Sequence, residues 1–264
     1  MRKTQTLSVK KRAAVTAAAR EYTPAEQALR WADRILDWIV DFAFLLVLLI
    51  GIYFMYDSAY VFYHSRAGGV SGYRPEGDVA SLQQEVKDAV AWVIIDDTSV
   101  DYPIMQGVDN REYLNKDPYG KFSLAGSIFL DSRNAGDFSD DYSIVYGHHM
   151  SGSFMFGALD AFADEEYFEA HRTGTLLTER GEIPFQCVGF FQTDASDSMV
   201  FDPDEDHSGM AEYIKTNSEI YREPAFSGDH TTTGESGKAR IVALTTCKSP
   251  TTTKRTVLFI MLDE

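Results

Sequence analysis

The strongest hydrophobic pattern in the chain is an apolar segment that runs from Trp38 to Tyr56. Its single charged residue, Asp41, lies near one end, where a charge costs less than at the bilayer centre. The segment has about the 20 residues that a helix needs to cross a bilayer core. Trp38, Tyr53 and Tyr56 occupy positions typical of an interfacial aromatic belt. The pattern predicts one transmembrane helix over residues 38–56.

A buried core helix or a cleaved signal peptide would also be apolar. The late start of the segment, with no clear small-residue cleavage site after it, argues against a signal peptide. Basic residues precede it, and the positive-inside rule then keeps the N-terminus in the cytoplasm. These residues are Arg2, Lys3, Lys10, Lys11, Arg12, Arg20, Arg30 and Arg34. We predict a cytoplasmic tail over residues 1–37, and a signal-anchored, single-pass protein of the cell membrane whose remaining domain is extracellular.

Beyond the apolar segment the pattern is that of a β protein. Glycine and proline recur within residues 57–80, which is typical of a linker. Eight short runs rich in β-branched and aromatic residues follow. They are AWVIID, DYPIMQ, GSIFLD, YSIVYGHH, TGTLLTE, IPFQCVGFFQT, RIVALTTC and TVLFIMLD. Eight strands with few helices predict a mainly β fold, a closed or nearly closed barrel formed by residues 81–264.

Three segments show helical features, one before the first strand and two that interrupt the strands. Leu82, Val86 and Val90 predict a helix that begins near Ser81, within residues 81–92, before the first strand. A second helical segment covers residues 154–171, between the fourth and fifth runs. A third covers residues 210–223, between the sixth and seventh runs.

Charge and cysteine content exclude some functions. The 264 residues carry a formal net charge of -16, which argues against binding to a phosphate backbone. Two cysteines, Cys187 and Cys247, do not form a disulfide framework. A single disulfide between them is an alternative in an oxidising compartment, but their contexts differ. No spacing of His, Cys or acidic residues resembles a metal site, so we predict no metal and no cofactor.

Cys247 is the candidate nucleophile because it stands at the end of the run RIVALTTC, where a strand enters a loop. A rigid strand can fix such a thiol while the loop leaves it accessible. The alternative is a small apolar residue that closes a strand. Cys187 lies in the middle of its run, so we predict that it packs in the core.

His148 and Arg255 are the candidate partners of Cys247. His148 follows Gly147, which permits close backbone approach, and its neighbour His149 should point to the opposite face of an extended strand. Arg255 lies eight residues after Cys247, so a β-hairpin would bring the two to one end of neighbouring strands. Lys254 is the competing cation. Each of these residues could instead be a solvated group at a strand end.

A thiol, an imidazole and a guanidinium at strand ends give a consistent mechanism. The thiolate of Cys247 attacks an amide carbonyl, and the imidazolium of His148 protonates the leaving amine. Arg255 donates hydrogen bonds to the oxyanion. A cation near Cys247 also favours the thiolate.

These motifs resemble the sortase family. ALTTC followed by Arg255 is similar to the family's TLxTC motif and downstream arginine, and YGHHM is similar to the segment with its catalytic histidine, which is matched by His148. The helices near residues 81–92 and 210–223 and the stretch GVDNREYLNKD before GSIFLD resemble class B. The resemblance implies an eight-stranded sortase-type β-barrel. This sequence departs from the family pattern at two places. The motif starts with Ala243, where threonine is common. Many class B members have an acidic residue soon after the cysteine, which is proposed to assist the histidine, whereas here Lys248 follows the cysteine.

The resemblance also implies a groove for a sorting signal. In class B an asparagine and a leucine four residues later help to line it, and they match Asn110 and Leu114. Thr245 and Thr246 match groove positions just before the cysteine. Tyr213 and Ile214 are candidates for the groove wall from the connection between the sixth and seventh runs.

The activity implied is a two-step transpeptidation through a thioester on Cys247. The enzyme would cleave a C-terminal sorting signal of a secreted protein and transfer the acyl group to an amine of a cell-wall precursor. A lysine of a pilin subunit is the alternative acceptor within class B. A surface cysteine peptidase that transfers the acyl group to water, and a non-catalytic surface-binding domain, are further alternatives.

Overall fold

The computed structural model describes residues 23–65, 79–84, 86–150, 152–225, 240–247 and 254–263. It divides into two compact units, Met1–Asp57 and Ser58–Glu264. Most of the predicted tail and linker, and the turn between Cys247 and Lys254, lie outside the described residues.

The long helix α1 covers Pro24–Ser65, and nearly all described residues of the first unit belong to it. Its part from Pro24 to Tyr56 is 33 residues and, among the described helices, is the one long and apolar enough to cross a membrane. Large apolar side chains within it are exposed, with Trp38 at 78% and Phe44 at 71%. Within the described residues this apolar stretch is not buried, as expected of a membrane-spanning helix, and the span over residues 38–56 stays a prediction.

The second unit contains ten strands within the described ranges. Their bounds are β1 Ala89–Ile95, β2 Asp101–Met105, β3 Ile128–Leu130, β4 Tyr142–Met150, β5 Phe154–Met155, β6 Thr173–Thr178, β7 Gly181–Asp194, β8 Ile220–Tyr221, β9 Ile241–Cys247 and β10 Lys254–Leu262. The helices of this unit are short. They are α2 Ala80–Gln83, α3 Glu165–Ala170, α4 Ser198–Phe201, α5 Met210–Asn217 and three 3-10 helices at Glu112–Leu114, Phe156–Ala163 and His207–Gly209.

Eight of the strands form a closed ring. The order β10-β9-β4-β3-β2-β1-β6-β7 is completed by antiparallel pairing of β10 with β7. The pairs β2–β3 and β4–β9 are parallel. The prediction of an eight-stranded barrel is therefore confirmed. Because the ring is closed, each of the eight strands is paired on both sides and none has a free edge.

Alternate residues of the strands pack in two separate hydrophobic cores, one inside the barrel and one outside it. Val145, Leu244 and Leu258 face the interior of the barrel, where they pack with the 3-10 helix Phe156–Ala163. Ile144, Ala243 and other alternate residues of β4, β9 and β10 face outward, where α5 covers them with Met210 and Ile214. Because both faces of these strands are buried, their sequences read as nearly continuous apolar runs rather than as alternating apolar and polar positions.

The helix predicted over residues 81–92 is much shorter in the structure. It ends at Gln83, and β1 already begins at Ala89. Leu82 and Val86 are both buried in the same cluster as Trp92, so their hydrophobic spacing reflects contact with this cluster rather than a continuous helix. The helical segment 210–223 contains α5 and then β8, and segment 154–171 begins with β5.

Candidate active site

Three strand ends meet where the predicted catalytic residues lie. Strand β9 lies between β4 and β10, and the parallel register of β4 and β9 pairs His148 with Cys247. Neighbouring strands are about 4.8 Å apart, so the two backbones are adjacent although 98 residues separate them in the chain. The structure describes Cys247 through its backbone.

Arg255 lies on β10, the strand that pairs with the other side of β9, and it is aligned with Cys247. The antiparallel register pairs Val257 with Thr245. Continued by two residues along each strand, this register sets Arg255 beside Cys247. Lys254, the competing cation, is an exposed residue that pairs with Asp194 of β7. The backbone of Cys247 therefore stands between those of His148 and Arg255.

A cavity of about 200 Å³ opens at this place. Among the described residues its lining is Tyr146, Ala195, Phe201, Thr245, Thr246 and Arg255. Tyr146 and Thr245 are paired across β4 and β9 on the outward face of the barrel. The cavity therefore lies beside α4, at the ends of β9 and β10, and it is accessible from outside the barrel.

The two adjacent histidines have different surroundings. His149 is in contact with Asp160, with 2.7 Å between Nε2 and Oδ2. His148 is partly buried, and its buried Nδ1 has no hydrogen-bond partner among the described residues. Burial lowers the pKa of His148 below 6.5, because the charged imidazolium loses solvation. At neutral pH the imidazole of His148 is therefore neutral and can accept a proton.

Gly147 is required by the packing beneath the site. A Cβ at this position would lie 2.5 Å from Ile128 Cδ1 and 2.6 Å from Phe156 Cδ2. Phe156 is fully buried, so its ring has little room to move. The close approach predicted for Gly147 is confirmed, and it lets β4 pass directly over the barrel core before His148.

Two threonine hydroxyls in the cavity region have unsatisfied hydrogen-bonding capacity. Thr245 and Thr246 are each 1% exposed, and neither Oγ1 has a partner among the described residues. A buried hydroxyl without a partner costs about 1–3 kcal/mol. A peptide group in the cavity could accept or donate the missing hydrogen bond, which fits the prediction that both threonines line a groove.

Asn110 and Leu114 lie in the connection between β2 and β3. Both ends of the Asn110 amide are hydrogen-bonded, because its Nδ2 donates to Asp131 at 2.8 Å and its Oδ1 accepts from the backbone N–H of Ser132 at 2.8 Å. Leu114 packs beside Tyr146 against one hydrophobic cluster. Both are near a wall of the cavity, although neither is in its lining, and their contact with a sorting signal stays a prediction.

Tyr213 and Ile214 belong to α5. Ile214 is 1% exposed and packs in the outer core. The hydroxyl of Tyr213 donates to Asp197 at 2.6 Å, and Asp197 also accepts from Thr193 at 2.7 Å. Thr193 is the register partner of Arg255 on β7. These contacts connect Tyr213 to the neighbourhood of Arg255, and the groove role of both α5 residues stays a prediction.

Sequence reasoning missed Tyr146 and Asp131. Tyr146 lines the cavity and lies two residues before His148 on the same face of β4. Asp131 follows directly after β3, is 0% exposed and accepts a hydrogen bond from the hydroxyl of Tyr146 at 3.1 Å. An acidic residue at the end of a strongly apolar run was the signal that could have indicated Asp131.

Cys187 has the packing role predicted for it. It is a free thiol, fully buried in the barrel interior, and burial raises its pKa far above the usual range. Within the described part of the chain, no group of three or more His, Cys, Asp or Glu side chains could hold a metal ion.

A closed eight-stranded barrel with Cys, His and Arg positions aligned on three adjacent strands is the architecture of a sortase-type cysteine transpeptidase. The sortase domain model matches residues 93–262, which is more than half of the chain. The chain therefore belongs to the sortase family of cysteine transpeptidases.

Relatives narrow the assignment to class B. Sortase B of Staphylococcus aureus is 30% identical over 183 residues, which cover 67% of this chain and 71% of that protein. A class B sortase of Streptococcus pyogenes involved in pilus biogenesis is 35% identical, with a TM-score of 0.59 over 69% of this chain and 96% of that one. Sortase B of Bacillus anthracis, in complex with AAEK1, gives a TM-score of 0.63 at 27% identity over 77% and 98% of the two chains. Together they place this protein among class B sortases.

Proposed function

We propose that this class B sortase cleaves a C-terminal sorting signal through a thioester on Cys247 and transfers the acyl group to an amine of a cell-wall precursor. The observation that carries the proposal is the register of β4, β9 and β10, which aligns positions 148, 247 and 255 beside a cavity. Sortases act on surface proteins or pilins that bear such signals, so the substrate class follows from the family.

In the proposed first step the neutral imidazole of His148 accepts the thiol proton as Cys247 attacks the scissile carbonyl. A carbon–sulfur bond forms, and the carbonyl oxygen becomes an oxyanion to which Arg255 donates hydrogen bonds. Collapse of this intermediate breaks the amide bond. His148 then returns its proton to the departing amine, and the thioester remains.

In the second step an acceptor amine attacks the thioester. His148 takes a proton from the incoming amine and delivers it to the sulfur as the carbon–sulfur bond breaks. Thr245 and Thr246 are proposed to bind the peptide during both steps, because their buried hydroxyls line or adjoin the cavity and have no hydrogen-bond partner among the described residues. Asn110, Leu114, Tyr213 and Ile214 are proposed to support or line the remaining groove.

Pilus polymerisation is the second candidate function. The observation that favours it is the S. pyogenes relative involved in pilus biogenesis, which has 35% identity to this chain. In that case the acceptor would be a lysine side chain of the next pilin subunit. Both candidates use the same acyl-enzyme and differ in the amine that resolves it.

We propose that α1 anchors the protein as a single-pass membrane protein, with the basic tail in the cytoplasm and the catalytic unit outside. The support is the uncovered apolar surface of α1 together with the basic residues that precede the apolar segment. This location would place the cavity on the side of the membrane where secreted substrates and cell-wall precursors meet.

The test uses the full chain in detergent and a library of C-terminal sorting-signal peptides. Intact-protein mass spectrometry should show an acyl-enzyme with one group of peptides, and Cys247→Ala should show none. An acyl adduct that persists in Cys247→Ala would disprove the assignment of the nucleophile. Cys187→Ala is the matched control, because this thiol is fully buried and should not affect acylation.

The acceptor is then identified with the peptide that forms the acyl-enzyme. Triglycine, a stem-peptide amine and a lysine-containing pilin peptide are added in parallel. Faster product formation with an amine than with water alone distinguishes the transpeptidase from a peptidase. A preference for the lysine peptide over the other two amines would favour the pilus function.

A further inference from the structure

Asp131 has more hydrogen-bond donors around it than a structural strand end requires. It lies just after β3, is 0% exposed, and receives donors on both carboxylate oxygens. Oδ1 accepts from the backbone N and Nε of Arg133 at 3.0 and 3.1 Å. Oδ2 accepts from Asn110 Nδ2 at 2.8 Å, Tyr146 Oη at 3.1 Å and Arg133 Nη2 at 3.2 Å.

The charge of Asp131 is maintained by these donors. Burial alone would raise its pKa, but the hydrogen bonds from Arg133 and Asn110 outweigh burial and hold the pKa below its usual value. The carboxylate is therefore ionised at neutral pH. A buried anion with five donors is a rigid anchor for the groups that donate to it.

One of those groups forms a wall of the cavity. Tyr146 lines the cavity together with Thr245 and Arg255. Its ring packs against Phe129, with 5.3 Å between ring centroids, and its hydroxyl is held by Asp131. Asn110, the predicted groove residue, binds the same carboxylate oxygen.

Arg133 extends the network to a second wall. Its Nη1 donates to Asp202 at 2.7 Å and to Asp204 at 3.0 Å. Asp202 follows directly after Phe201, the residue of α4 that lines the cavity. Through Arg133, the same buried carboxylate thus holds the segment that carries Phe201.

We propose that Asp131 is a positioning residue that, with Arg133, fixes the Tyr146 and Phe201 walls of the cavity for binding of the acyl-donor peptide. Asp131 does not touch the reacting atoms and transfers no proton. The proposal rests on the proposed function, because it assumes that this cavity binds the sorting signal. Loss of the carboxylate should weaken peptide binding and leave the chemistry at Cys247 intact.

The experiment measures two quantities on the full chain in detergent. The first is the steady-state kinetics with the acyl-donor peptide selected from the library. The second is the rate at which iodoacetamide alkylates Cys247, which requires the thiol but no peptide-binding wall. Asp131→Asn should raise KM about tenfold, as expected for loss of charged hydrogen bonds. Its kcat and its alkylation rate should stay within about twofold of wild type.

Tyr146→Phe is the second variant, because it removes only the hydroxyl and keeps the ring. It should also raise KM, by a smaller factor, with unchanged alkylation. The double variant should raise KM by less than the product of the two single effects, since the hydroxyl acts through Asp131. Asp140→Asn is the matched control. Asp140 lies, like Asp131, in the connection between β3 and β4, where it accepts hydrogen bonds from Asn134 and Ala135. Neither partner lines the cavity, so this variant should leave KM unchanged.

An unchanged KM in Tyr146→Phe, or independent effects in the double variant, would overturn the proposal even if Asp131→Asn does not fold. A parallel fall of kcat and alkylation rate in a folded Asp131→Asn would also overturn it, because that pattern indicates a general structural role. Wild-type enzyme that forms no acyl-enzyme with any library peptide would instead disprove the proposed function itself.

Discussion

The two histidines at the end of β4 show how strongly neighbouring residues can differ. His149 is held by Asp160, which also accepts a hydrogen bond from Thr256 at 3.1 Å. His148 lies on the outward face, where its register partner is Cys247. The alternation of a strand therefore assigns one imidazole to a structural contact and leaves the other available for chemistry.

Replacement of either histidine by alanine tests this assignment. We expect His148→Ala to lower kcat/KM at least about a hundredfold, the scale of a lost general acid–base group. His149→Ala should cost less than about tenfold, because it removes a partly exposed contact with Asp160. The measurement is steady-state kinetics with the acyl-donor peptide. A larger loss in His149→Ala would mean that the wrong histidine was assigned.

The pH dependence of activity should reflect the burial of His148. Activity requires a neutral His148 to accept the thiol proton, so it falls as pH drops through the pKa of this group. Because burial lowers that pKa, the acid-side midpoint of kcat/KM should lie below 6.5. A pH–rate profile measures it, with His149→Gln as the control that should keep the same midpoint. A midpoint clearly above 6.5 would contradict the role of burial.

At the scale of elements, the long and regular strands could be predicted from the sequence. All eight apolar runs become strands of the ring, because short runs rich in β-branched and aromatic residues are a strong signal for a strand. Strands β5 and β8 have two residues each, which is too short for any period to be visible. The helix over residues 81–92 was wrong because the burial of Leu82 and Val86 produced helical spacing without a helix beyond Gln83.

The candidate site was predictable in part for the same reason. Cys247, His148 and Arg255 stand at ends of clear strands, so their meeting follows from pairing of those strands. Asp131 and Arg133 act through side-chain contacts between segments far apart in the chain, such as Arg133 with Asp202. No local pattern encodes those contacts, and they became visible only with the packed structure.

Strand β4 should tolerate no side chain at Gly147. A methyl group there meets the buried ring of Phe156 and the end of Ile128, and overpacking of this kind costs about 1–3 kcal/mol. We expect Gly147→Ala to lower Tm by roughly 3 °C or more in a thermal unfolding scan. It should also lower activity, because the strand that carries His148 must shift.

Gly209→Ala is the matched control for that variant. A Cβ at Gly209 meets nothing within 4 Å, and its φ of -101° suits any residue. Its Tm should equal that of wild type within experimental error. Equal stability of both variants would show that the core beneath β4 can adapt to the extra methyl group.

At the scale of the whole molecule, the apolar helix and the barrel differ in the exposure of their apolar side chains. The described large apolar side chains of α1 from Leu29 to Tyr56 are exposed, whereas most of those described in the barrel unit are buried, with exceptions such as Val108 and Phe122. Such exposure in water would be unfavourable by about 25 cal/mol for each Å² of apolar surface. A bilayer removes that cost, which supports the proposed anchor.

Two lysines in the middle of the apolar segment test the anchor. Leu46→Lys with Leu49→Lys should move the protein from the carbonate-resistant membrane fraction to the soluble fraction. The reason is that each lysine at the centre of a span costs about 2.5–3.5 kcal/mol. Leu29→Lys, which precedes the apolar segment, is the control and should remain in the membrane fraction. A double-lysine variant that stays membrane-bound would contradict anchoring by this segment.

Closure of the ring by β10 also has a consequence for when the enzyme becomes active. Strand β10 is the last described strand, and it pairs with both β7 and β9. A nascent chain that has emerged only as far as Cys247 already displays its thiol but lacks the strand that stabilises β9 and supplies Arg255. His148 has already been made by then, but the ring closes and Arg255 takes its place beside Cys247 only when residues 254–262 have been made, so we expect the nascent enzyme to be inactive until that point.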